Sequence, residues 1–112
     1  MDETVYSESN LGKRLKKIRR SESRCLLFQG KKIPLVAKIT LGRDKKNGLV
    51  IDDQLVSRFH AEIQKIEDSF FIRDLSSTNG TYVNSVRVPR GKYVKLHIRD
   101  TIKVGRTEIT MA

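Results

Sequence analysis

A chain of 112 residues with 38% hydrophobic and 32% charged content supports one globular core, and no apolar run in it approaches the ~20 residues that a bilayer-spanning helix needs. Twenty-three Lys/Arg against 13 Asp/Glu leave a net charge of +10, which favours anionic partners: nucleic acid, an acidic membrane surface or phosphorylated protein. One cysteine, Cys25, excludes an intrachain disulfide and points to a reducing, cytoplasmic setting; its apolar neighbours Leu26, Leu27 and Phe28 make it buried filler rather than a reactive thiol.

Residues 1–23 read as a flexible basic leader. The N-terminus has no apolar segment of the signal-peptide kind. Met1 to Asn10 is polar and acidic, and Leu11, Leu15 and Ile18 follow at helical spacing among six basic residues. A solvated, partly helical leader is the preferred reading, because three apolar side chains bury too little area to anchor the stretch on an anionic lipid or nucleic acid.

From Ser23 onward the pattern changes to short strands. Apolar or alternating runs fall at Cys25–Phe28, Ile33–Val36, Ala37–Leu41, Leu49–Ile51, Ala61–Ile66, Phe70–Asp74, Tyr82–Val83, Val86–Pro89, Tyr93–Ile98, Thr101–Val104 and Thr107–Met111. Turn residues separate them: Gln29 to Lys32, Glu67 to Ser69, Arg90 to Lys92, Arg99-Asp100 and Gly105-Arg106. Pro89 marks an edge, since proline cannot donate to a ladder. About eleven strands at spacings of about ten residues, with no long helical segment, predict an all-β sandwich or barrel. Asn79-Gly80, flanked by Phe70–Ile72 and Tyr82–Val83, is a strong hairpin signal. Its tip nevertheless offers more hydrogen-bonding groups than a turn needs: Ser76, Ser77, Thr78, Asn79 and Thr81.

Three loops share one chemistry: Gly42-Arg43-Asp44, Ser57-Arg58-Phe59-His60 and Ser76 to Asn84. Between them they hold two guanidinium groups, several hydroxyls and backbone N–H donors, a set suited to a phosphate dianion. Charge-assisted bonds of that kind contribute roughly 1.5–3 kcal/mol each. Loops at one end of a sandwich cluster, so the three can meet. Other chemistries fit less well. Ser57 and His60 lack the orienting acid and oxyanion hole of a hydrolase, so His60 reads as a structural histidine. Two histidines and one cysteine do not make a zinc site. Asp52-Asp53 does not fit a calcium loop, and Gly42 to Gly48 lacks the Lys-Ser/Thr ending of a P-loop.

In these three motifs, in this order and at this spacing, the chain resembles the forkhead-associated (FHA) domain family from about Cys25 to Met111. The resemblance implies an FHA-like β-sandwich of two twisted, mostly antiparallel sheets over residues 24–112. It implies a non-enzymatic module that binds threonine-phosphorylated protein or peptide, in signalling by a serine/threonine protein kinase, without a cofactor or metal. By the family pattern Arg43 and Ser57 would contact the phosphate, Arg58 would support peptide or phosphate, Thr78 would touch the phosphothreonine and Asn79 would bond the peptide backbone. Gly42, His60, Gly80 and Asn84 would be loop framework. The third residue after the phosphothreonine would be read near Leu55, Val56 and the residues after Asn84, where this chain has Ser85 in place of the frequent glycine.

Two further expectations stand beside this one. Thr4, after Asp2 and Glu3, is a candidate phosphorylation site that could fold back onto Arg43 as an intramolecular ligand; the plainer reading, a tail residue, is preferred. The alternative function is a nucleic-acid or anionic-surface module using Lys13 to Arg20. It is disfavoured because the β region has no aromatic stacking platform.

Overall fold

The computed structural model describes residues 24–112. The expected leader over residues 1–23, with its basic stretch Lys13 to Arg20 and Thr4, therefore lies outside the described residues. Eleven strands form: β1 (Cys25–Phe28), β2 (Lys31–Pro34), β3 (Lys38–Gly42), β4 (Leu49–Val50), β5 (Ala61–Ile66), β6 (Ser69–Asp74), β7 (Thr81–Val83), β8 (Val86–Arg87), β9 (Tyr93–Leu96), β10 (Thr101–Val104) and β11 (Thr107–Met111). They make a six-stranded sheet, β2-β1-β11-β10-β7-β8, and a five-stranded sheet, β4-β3-β5-β6-β9. Every pairing is antiparallel except β3 with β4.

Alternation explains why these segments are strands facing one another. In β6, Phe70 and Ile72 point inward while Phe71 and Arg73 do not. In β10, Ile102 and Val104 are buried and Lys103 is exposed. Leu26, Leu41, Ile63, Ile72, Ile102 and Ile109 are fully buried between the sheets. Each such side chain contributes about 1.5–3 kcal/mol relative to exposure. The outer face of the five-stranded sheet is polar: Glu62 takes a 2.6 Å bond from Arg73, whose guanidinium lies 5.3 Å from the Tyr93 ring centroid.

Several boundaries differ from expectation for local reasons. Asn79-Gly80 is not a hairpin tip. β6 and β7 lie in different sheets, and residues 75–80 cross between them. The two-residue hairpin comes one step later, at Asn84-Ser85, with φ of 50° and 69°. Gln29-Gly30, at φ 51° and 77°, makes a second such turn, so β2 begins at Lys31 rather than Ile33. Positive φ at both central residues is what the twist of a tight hairpin demands. β9 stops at Leu96 because Asp100 caps the next turn, accepting the His97 N–H at 2.8 Å. Cys25 is half-buried rather than enclosed.

Candidate functional site

The site begins with a backbone crossing at the end of β3. A Cβ on Gly42 would lie 2.1 Å from the Arg58 carbonyl oxygen and 2.7 Å from Asn47 Nδ2. Glycine is thus required here by contact. The loop after β3 and the loop before β5 can then bond directly: Arg43 N–H donates to Ser57 O at 3.0 Å and Asp44 N–H to Arg58 O at 3.1 Å. Asn47, buried to 6% exposure, closes the crossing by donating to both Asp44 O (2.8 Å) and Arg58 O (2.7 Å).

Arg43 leaves this crossing exposed. Its Nε donates to Val56 O at 3.0 Å, which fixes the plane of the guanidinium and leaves the two terminal NH2 groups for a ligand. Ser57 is next to Val56, and its Oγ accepts the Thr78 N–H at 3.0 Å, so the hydroxyl hydrogen remains available as a donor. Asn79 Nδ2 donates to Leu55 O at 2.8 Å, leaving its side-chain oxygen as an acceptor. Arg43, Ser57, Arg58, Thr78 and Asn79 together line one open cleft of about 600 Å³, with Gln54, Leu55, Val56 and Phe59. Its charged lining is two arginines and no carboxylate.

His60 joins two of the loops from below. It is fully buried; Ser57 N–H donates to its Nδ1 at 3.0 Å and its Nε2 lies 2.8 Å from Gly80 O. An Nδ1 that accepts must be unprotonated, so the proton is on Nε2 and is donated to Gly80 O. Both ring nitrogens are thereby committed to backbone, which is framework geometry. Gly80 itself has φ +91°, and the Arg87 guanidinium covers it, 3.0 Å from where a Cβ would sit.

The crossing loop is folded around Asp74. Oδ1 of this buried carboxylate accepts the hydroxyls of Ser77 (2.5 Å) and Thr81 (2.7 Å), and Oδ2 accepts Ser77 N–H (3.0 Å). Ser77 Oγ in turn accepts Gly80 N–H at 2.9 Å. Burial pushes the Asp74 carboxyl up, but the bonds from Ser77 and Thr81 outweigh it and hold it below the usual carboxylate value. Ser77 and Thr81 are therefore turned inward. Only Thr78 and Asn79 of the tip reach the cleft.

Asp53 does the same work for the loop before β5. It accepts Leu55 N–H (2.9 Å), Arg106 N–H (2.8 Å) and the Thr107 hydroxyl (3.2 Å), which ties that loop to the β10–β11 turn. The bonds from Leu55 and Arg106 lower its pKa. Asn84 sits outside the cleft. Its side chain spans Asp100 Oδ1 and Thr101 N–H, both at 2.9 Å, and fixes the β7–β8 hairpin to the turn before β10. It lines a second groove of about 870 Å³ on the outer face of the six-stranded sheet, which meets the first cleft at Leu55 and Asn79. Sequence reasoning gave no role to Asn47 or Asp74 and weighed Asp53 only as a calcium ligand. Each is a polar residue beside an apolar strand, and only Asn47, closing the loop that Gly42 opens, carried a local cue.

Among the described residues no group of three or more His, Cys, Asp or Glu is placed to hold a metal, and no helix is long and apolar enough to cross a membrane. The cleft is an open recess whose charged lining is wholly cationic, which suits an anion.

The FHA domain model matches residues 39–105. The oxoglutarate dehydrogenase inhibitor of Corynebacterium diphtheriae is 42% identical over 67 residues, which is 60% of this chain and 45% of that protein. The FHA domain-containing protein FhaB of Mycolicibacterium smegmatis is 32% identical over 65% of this chain and 46% of its own length. The chain thus spans about half the length of the curated relatives it matches. Among solved structures, an FHA domain studied for phosphothreonine-dependent interactions superposes with a TM-score of 0.73 at 31% identity, covering 80% of this chain and 94% of that one. The MEK1 FHA domain in complex with a phosphothreonine peptide of HOP1 gives 0.71 at 28% identity, with the same coverage.

Proposed function

The chain belongs to the FHA domain family, and on that premise we propose that it is a non-enzymatic module that recognises threonine-phosphorylated protein. Its partners are substrates of a serine/threonine protein kinase. Arg43 and Ser57 hold the phosphate, Arg58 supports it from the rim, Thr78 contacts the phosphothreonine and Asn79 bonds the peptide backbone through its free side-chain oxygen. One observation carries this reading: Arg43, its guanidinium oriented by Val56 O, and Ser57 line one cleft that holds no carboxylate. A phosphate of about −1.5 to −2 charge fits that recess. The absence of turnover is supported by His60, whose ring nitrogens are both spent on backbone and so cannot activate Ser57. A cytoplasmic setting rests on the single cysteine and on the need for kinase-marked partners.

The test is a titration with matched peptides carrying threonine or phosphothreonine. The phosphopeptide binds and its unmodified twin does not. Arg43→Ala removes a charge-assisted bond pair and weakens binding about 10- to 100-fold. Equal affinity for the two peptides overturns the reading, as does an Arg43→Ala variant that binds like wild type.

A further inference from the structure

The cleft is electrically lopsided. On one rim the exposed Arg58 lines the cleft, and the β3–β4 loop is stitched to its carbonyl by Asp44 N–H (3.1 Å) and Asn47 Nδ2 (2.7 Å). The turn that carries exposed Lys45 and Lys46 is thereby held against the Arg58 backbone. The loop's own acid, Asp44, is half-buried and turned back to cap the Lys46 N–H at 2.8 Å. Three cations against one inward carboxylate remain on this side. The opposite rim carries less free charge: Leu55 is 43% exposed, Asn79 is neutral, Arg87 lies over Gly80, Arg106 pairs with Asp53 at 3.4 Å, and in the adjoining groove Lys103 faces Glu108 across the ladder. Arg43, the Ser57 hydroxyl and neighbouring amides already match one phosphate. Arg58 supports that phosphate from the rim, and the added charge of Lys45 and Lys46 exceeds what the single group requires.

We propose that the ligand carries a second anionic group, a carboxylate or another phosphate, within two residues of the phosphothreonine, and that Arg58, Lys45 and Lys46 read it. This deepens the reading of the cleft as a phosphothreonine site and rests on it. Lys45 and Lys46 are then specificity determinants outside the phosphate site itself. Their held backbone reduces the ordering cost that weakens most exposed ion pairs. One added carboxylate gains about threefold in affinity, and a second phosphate, with nearly twice the charge, about tenfold. Both gains shrink with salt, because the rim is exposed.

Anisotropy titrations on the full chain separate the possibilities. The probes are phosphothreonine peptides with neutral flanks, with aspartates before the phosphothreonine, with aspartates after it, and with a second phosphothreonine on each side, plus an unphosphorylated acidic peptide. Acidic flanks on one side bind tighter than neutral flanks. The gain disappears in Arg58→Gln and in the double variant Lys45→Gln/Lys46→Gln, and persists in Lys31→Gln/Lys32→Gln, which loses the same charge from edge strand β2 of the six-stranded sheet. Equal binding of neutral and acidic phosphopeptides overturns the proposal and leaves the phosphothreonine site standing. A gain lost equally in the Lys31/Lys32 variant assigns it to net charge and overturns the proposal too. Failure of every phosphothreonine peptide to bind, or tight binding of the unphosphorylated acidic peptide, removes both readings together.

Discussion

Replacing Gly42 by alanine tests the crossing on which the cleft is built. The added methyl would sit 2.1 Å from Arg58 O, a backbone atom fixed by Asp44 N–H and Asn47 Nδ2. It cannot rotate away like a side chain, so the loops must part. Overpacking of this kind costs about 1–3 kcal/mol, and parting the loops breaks one or two hydrogen bonds worth about 1 kcal/mol each. A loss of about 3 kcal/mol follows, which lowers Tm by roughly 12–24 °C in a domain of this size. Urea unfolding followed by a spectroscopic signal measures it, and phosphopeptide titration of the folded fraction should show affinity falling more than tenfold as Arg43 and Ser57 separate. Gly30→Ala is the control. Gly30 has φ +77° and no atom within 4 Å of a would-be Cβ, so alanine there costs only the left-handed strain, about 1 kcal/mol, and leaves affinity unchanged. A Gly42→Ala protein destabilised by no more than Gly30→Ala, with binding intact, would refute the reasoning.

Other consequences follow from the same geometry. Ser85 holds φ 69° in the β7–β8 turn, so Ser85→Gly relieves left-handed strain and, after the entropy that glycine adds to the unfolded chain, raises stability by about 0.5–1 kcal/mol in calorimetry; a decrease would show the hydroxyl matters more than the backbone. His60→Ala strands Ser57 N–H and Gly80 O and leaves a cavity, so it costs about 3 kcal/mol and weakens phosphopeptide binding in the same titration. Asp53, Asp74 and Asp100 all have pKa values lowered from 3.8 in the folded state. Their stabilisation is full above that value and is lost as pH falls through the lower folded values, so the urea midpoint stays flat near neutrality and drops below about pH 4. Asp74→Asn should flatten that acid limb while lowering stability at pH 7, and an unchanged limb would exclude Asp74 from it.

The fold was legible wherever burial alternates. Phe70 and Ile72, Ile102 and Val104, and Ile109 and Met111 announce their strands because every second residue enters the core. What misled was the loop at Asn79-Gly80. Local propensity there favours a hairpin, yet Asp74 collects three donors and bends the chain toward the other sheet. The donors, Ser77 and Thr81, flank Asn79 by two residues, but hydroxyls there read as turn chemistry and do not announce the buried carboxylate five residues upstream. Asp53 was harder still, since its partners Arg106 and Thr107 lie more than fifty positions away. The exposed half of the cleft was legible as three short motifs. The half that shapes it is a set of buried polar contacts visible only in three dimensions.

This division has a physical cause that bears on affinity. In the proposed phosphate recess Arg43, Thr78 and Asn79 are exposed to water, where contacts between such groups are weak. Their geometry has to be held by something that water does not compete with. His60, Asp74 and Asn47 meet that need: each is buried, and each satisfies two or more donors or acceptors from a loop carrying an exposed ligand group. The loops are therefore ordered before a ligand arrives, and binding need not supply their conformational entropy. Substitution of a buried anchor should consequently slow association and hasten dissociation together, because the competent arrangement becomes a minor state. Substitution of Arg43 should act mainly on dissociation, with a smaller, salt-dependent loss in association rate.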